Sequence, residues 1–100
     1  MTKKLAPIHP GEILLHEYME PLGLSSNALA KNLGVPANRI SSIVNGSRDI
    51  TSDTALRLAR AFRTSPEMWI NMQSLYNLQM AEDATAKVDL NKIRPLVAAP

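Results

Sequence analysis

The sequence predicts an all-α single domain of five helices with a short C-terminal tail, and three observations carry that prediction. Its 100 residues give room for one hydrophobic core. Apolar residues make up 45% of the chain but only four residues are aromatic, so Leu, Ile, Val, Ala and Met must fill the core, which suits packed helices better than sheets. Apolar positions also recur at spacings of three and four residues in segments separated by Gly, Pro and Ser.

The elements follow in order along the chain. Pro10 and Gly11 precede a first helix in which Ile13, Leu14 and Tyr18 fall at helical spacing and Glu12 suits the positive N-terminal end; it stops near Pro21 and Gly23. Ser25 or Ser26 caps a second helix of about two turns, with Leu29, Ala30 and Leu33 as its apolar stripe and Gly34 at its end. Pro36 stands where a first helical residue tolerates proline, and Ile40, Ile43 and Val44 mark the buried stripe of a third helix that Asn45 and Gly46 stop. After the loop from Ser47 to Ile50, Thr51 caps a fourth helix with Ala55, Leu58, Ala59 and Phe62 on one face. The run Ser65, Pro66, Glu67 combines a hydroxyl cap, a first-turn proline and an early carboxylate, and starts a fifth helix that runs to about Glu82. In the tail, Val88, Leu90, Ile93, Leu96 and Val97 fit a short helix and a docked extended segment equally.

Several function classes are disfavoured. The absence of cysteine removes disulfides and thiolate metal sites and fits the reducing cytoplasm. Lys3 and Lys4 are followed by Pro7, His9, Pro10 and Glu12 before any long apolar run, so neither a signal peptide nor a membrane span is expected. His9 and His16 are the only imidazoles, and two histidines seven residues apart rarely make a metal site. Glu12, Glu17 and Glu20 read as a solvated face. With no phosphate loop, paired nucleophile and base, or cofactor signature, the chain is expected to have no catalytic residue, no metal and no cofactor, and not to be an enzyme.

Charge points elsewhere. Between Ser26 and Arg63, six basic residues (Lys31, Arg39, Arg48, Arg57, Arg60, Arg63) stand against Asp49 and Asp53, a net +4 within a chain of net +2. On the third helix the inward stripe leaves Asn38, Ser42 and Asn45 outward, flanked by Ser41 and Arg39, with no carboxylate. Short hydrogen-bonding groups of this kind match base edges in the major groove, and two short helices joined by the tight elbow at Gly34 and Val35 are the geometry that presents them.

The run from Ala30 through Leu33-Gly-Val, Ile40-Ser and Asn45-Gly-Ser-Arg, followed by Thr51 and Leu58-Ala59, resembles the phage-repressor or XRE-type helix-turn-helix family over about residues 22–64. The resemblance implies base contacts from Ala37, Asn38, Ser41 and Ser42 and backbone contacts from Ser26, Asn45 and Arg48; Arg39, by its charge, joins the backbone set. Pro36 departs from the Ser or Thr common in the family before the recognition helix, so the usual side-chain cap is absent. Outside the motif, His9-Pro-Gly-Glu-Ile-Leu and Ser65-Pro-Glu-Met-Trp-Ile-Asn-Met-Gln resemble the HigA antitoxins, also called the VapI group; the basic and apolar tail around Ile93, Arg94 and Pro95 fits as well. That resemblance implies a homodimer that binds a double-stranded operator, represses its own operon and neutralises a small RelE-like RNase toxin. A stand-alone repressor would present the same DNA face without a toxin, and an interaction module that no longer binds DNA is a third reading. On the fifth helix Met68, Trp69, Met72, Leu75, Tyr76, Leu78 and Met80 cover more than half the circumference, more than one core contact requires, so Met68, Trp69, Met72 and Tyr76 are expected at a dimer or partner interface.

Overall fold

The computed structural model describes residues 6–85 and 90–99. Five helices pack around one core, and no strand occurs among the described residues. The first helix opens as α1 (Pro10–Ile13), continues as a π-helical stretch (Leu14–Met19) and tightens into a 3-10 turn (Glu20–Leu22), which Gly23 ends at a positive φ. The sequence reading has a regular helix here. The π-helical bonding, closed by the Glu20 N–H on the Leu15 carbonyl, brings Met19 beneath Leu14, so that both are fully buried at a spacing of five that a regular helix would split between two sides.

Local chemistry fixes the remaining elements. The Ser25 hydroxyl, not that of Ser26, accepts from the Ala28 N–H and starts α2 (Ser26–Leu33). Gly34 closes α2 in the left-handed region, its N–H and that of Val35 returning to carbonyls of the last turn. α3 (Ala37–Val44) follows Pro36 with no side-chain cap. Thr51 caps α4 (Ser52–Phe62), and Ser65 accepts from the Met68 N–H to open α5 (Pro66–Thr85), with Pro66 in the first turn.

The stripes meet as their spacing requires. Leu29, Leu33, Ile40, Ile43, Ala55 and Leu58 join Leu14, Met19, Ile50 and Trp69 in one cluster. Tyr18 lies against Phe62 and Trp69, each with ring centres 5.1 Å away. The tail makes a 3-10 turn (Leu90–Lys92) and then runs irregularly, exposed along its described length. Of the tail residues expected to dock, Leu90, Ile93, Leu96 and Val97 are all open to solvent, and Val88 lies outside the described residues.

Candidate DNA interface

α3 supplies the face the sequence selects. Ile40 and Ile43 are fully buried and Val44 is half-buried, which turns Ala37, Asn38 and Ser41 to solvent and leaves Ser42 half-exposed. Asn45 and Arg48 are exposed just beyond the helix, and Ser26 is half-buried in the first turn of α2. Several of these groups already have local partners. The Asn45 carboxamide oxygen accepts from the Ser47 N–H (3.0 Å) and hydroxyl (2.6 Å), which leaves its NH2 to donate outward. The Ser42 carbonyl accepts the N–H groups of Ser47 and Arg48, fixing the turn that carries Arg48. The Ser41 hydroxyl leans on the Ala37 and Asn38 carbonyls at 3.4 Å, a pair of long contacts that a better acceptor can replace.

The uncapped start of α3 is held by side chains from elsewhere. Arg39 donates to the Asp53 carboxylate at 2.6 Å, and Arg57 donates to the same carboxylate and, at 2.7 Å, to the Leu33 carbonyl at the end of α2. One chain of bonds therefore joins α2, α4 and α3. The hydrogen bonds from Arg39 and then Arg57 hold the Asp53 carboxyl below the usual carboxylate range. Arg39 is thus already paired with a carboxylate.

The far end of α3 is held by the two blocks outside the motif. His9 caps α1, its Nδ1 accepting from the Gly11 N–H at 2.9 Å, and its buried ring meets Tyr76 edge-on with centres 4.9 Å apart. Gly11 sits so close to the end of α3 that a Cβ there would lie 1.8 Å from the Ile43 carbonyl oxygen; only glycine lets the first helix cross there. From α5, the buried Gln73 accepts the Ile50 N–H at 2.7 Å and donates to Asn77, which donates to Asp49. The loop after the recognition helix is pinned by this relay. Sequence reading missed His9, Gly11, Asp53 and Gln73 as supports. The available signals were a glycine inside a helix start and a glutamine within an apolar stripe.

The expected interface residues on α5 divide. Trp69 is 0% exposed and donates its indole N–H to the Thr64 hydroxyl, so it belongs to the core and cannot itself touch a partner. Met68 is half-buried against the core, with the Tyr18 hydroxyl on its sulfur. Met72 and Tyr76 instead line a groove of about 310 Å³ with Ala6, Ile8, Ile13 and Leu75. The two histidines do not converge: His9 is buried at the cap, whereas His16 is exposed and bonded to Glu20, which raises its pKa. No cluster of metal-ligating side chains exists among the described residues, and no helix there is long and apolar enough to cross a membrane.

A short recognition helix with an uncharged hydrogen-bonding outer face, braced at both ends within a basic three-helix unit, defines a helix-turn-helix DNA-binding protein. Residues 15–69 match the helix-turn-helix family. Virulence-associated protein I of Dichelobacter nodosus is 52% identical over 93 residues, 93% of this chain and 84% of that protein. Antitoxin HigA-1 of Vibrio cholerae is 40% identical over 75 residues, covering 75% of this chain and 70% of its own length. The structure of Pseudomonas aeruginosa antitoxin HigA with the higBA promoter superimposes with a TM-score of 0.85 at 44% identity, over 91% of this chain and 99% of that one. The chain belongs to the HigA family of helix-turn-helix antitoxins, a class of regulators and not of enzymes.

Proposed function

We propose that this chain is the antitoxin of a toxin-antitoxin pair, binding as a homodimer to an operator of its own operon, repressing it, and neutralising a small RelE-like RNase encoded beside it. The observation that carries the DNA-binding part is the outer face of α3, where Ala37, Asn38, Ser41 and Ser42 stand free of any carboxylate within a segment of net charge +4. Asn38 suits an adenine edge, the serines suit several acceptors and donors, and the Ala37 methyl suits a thymine methyl. Ser26, Arg39, Asn45 and Arg48 ring that face as phosphate ligands that set the register. A relative solved with its promoter supports the same use of the fold.

The homodimer follows from reach. One short helix touches few base pairs, and a two-fold pair reading half-sites about 34 Å apart gains both affinity and specificity. The exposed Leu75 and Leu78 beside the groove give such a pair an apolar surface to bury.

Binding to the DNA upstream of the chain's own gene tests the operator part. Arg48→Ala is expected to weaken binding to all sequences alike and to reduce the salt slope by about one, whereas Asn38→Ala should cost about 1–3 kcal/mol and relax preference at one base pair. Wild-type binding by both variants would overturn the assigned face. Growth of cells expressing the neighbouring small open reading frame, with and without this chain, tests the antitoxin part: toxicity relieved by a stable complex supports it. A harmless or non-binding neighbour leaves a stand-alone repressor.

A further inference from the structure

The basic unit of residues 26–64 contains two carboxylates, Asp49 and Asp53, and they are held differently. Asp53 is paired with Arg39 and Arg57. Asp49 has no ion-pair partner among the described residues, although it directly follows Arg48, which is exposed on the loop after the recognition helix. A carboxylate at that place is unfavourable in two ways: it repels the DNA backbone, and it competes with phosphate for the Arg48 guanidinium. What Asp49 meets instead is a neutral amide from α5, the Asn77 NH2 at 3.1 Å.

The sense of that bond is dictated from inside the core. The Ile50 N–H can only donate, so the buried Gln73 turns its carbonyl oxygen to it, at 2.7 Å. The Gln73 NH2 then faces Asn77 and needs an oxygen, which it meets at 3.0 Å, so Asn77 presents its own NH2 to Asp49. Each link is oriented by the one before, and the last can end only on an acceptor. An ionised carboxylate is such an acceptor, and its charge strengthens the bond. The Asp49 carboxylate is thereby fixed on the side of the loop that is bonded to α5.

We propose that Gln73 and Asn77 are positioning residues for DNA binding: from α5 they hold the Asp49 carboxylate away from Arg48, which leaves the Arg48 guanidinium for a phosphate. The proposal rests on the DNA-binding reading of α3 and Arg48. It adds two residues that lie beyond those matching the helix-turn-helix family.

Asn77→Ala is the direct test, because Asn77 and Asp49 are both exposed and neither belongs to the core, whereas Gln73 is buried. Binding is measured on the DNA upstream of the chain's own gene and on an unrelated duplex, over a range of salt. Asn77→Ala is expected to weaken binding to both about tenfold and to reduce the salt slope by about one, as the loss of one phosphate contact does. Asp49→Asn keeps an acceptor for Asn77 but carries no charge, and is expected to bind at least as tightly as the wild type. In a chain with both changes the loss should disappear, because a released carboxamide neither captures Arg48 nor repels phosphate. Two results overturn the proposal. One is wild-type binding by Asn77→Ala; the other is a loss that persists in the double variant, which would mean that Asn77 acts only through the shape of the loop or the assembly of the chain. A wild-type chain that binds neither duplex overturns the DNA-binding reading itself, and the role of Gln73 and Asn77 with it.

Discussion

At the scale of single residues, the fold depends on contacts that tolerate one side chain only. Gly11 is the clearest, because the atom a Cβ would strike is a backbone carbonyl at the end of the recognition helix and cannot swing aside. Gly11→Ala is expected to cost about 3 kcal/mol, at the top of the range for overpacking, with a matching fall in urea midpoint. Operator binding should fall further than stability accounts for, since the displaced group carries Asn45 and Arg48. A variant with wild-type stability would mean that the first helix crosses α3 elsewhere. Trp69 shows the converse limit: its type announces a large buried area, but nothing local says whether a partner or the core buries it.

At the scale of elements, α3 is a two-turn helix without a cap, and its position is set by neighbours. The inward stripe was legible because Ile40, Ile43 and Val44 recur at the helical period, and the caps Thr51 and Ser65 were legible because their signals are local. The braces were not. Arg39 to Asp53, Arg57 to Leu33 and Gln73 to Ile50 join residues 14, 24 and 23 positions apart, and periodicity carries no information about such pairs. The inward face of α5 was hidden for another reason: apolar residues surround most of it, so no single stripe stood out. The Asp53 brace has a pH signature. Its carboxyl pKa is lowered on folding, so the contribution to stability is fully present above the unfolded value of 3.8 and is lost as pH falls through the depressed folded value. The melting temperature of the wild type should therefore exceed that of Asp53→Asn at about pH 6, and the two should converge below pH 3.8. A gap of constant size down to acid pH would show that the carboxylate charge plays no part.

At the scale of the molecule, α2, α3 and α4 make a basic unit and the first helix and α5 an acidic one. Residues 26–64 sum to +4, and residues 6–25 with 65–85 sum to −6. The net charge of +2 hides this separation, which is why overall charge said so little about partners. It has a consequence for how the chain finds DNA. In the field of a phosphate backbone a body so divided experiences a torque as well as a pull, turning its basic side inward before contact. Arrival already oriented removes part of the rotational search that slows protein association. Mixing experiments should show an association rate that falls steeply with added salt, and still more steeply than the dissociation rate rises. Glu17→Gln with Glu67→Gln, neither of which belongs to the basic unit, should flatten that dependence while leaving the dissociation rate unchanged. On this view the carboxylates outside the basic unit act as the tail of a compass needle: they help determine which side of the chain reaches DNA first.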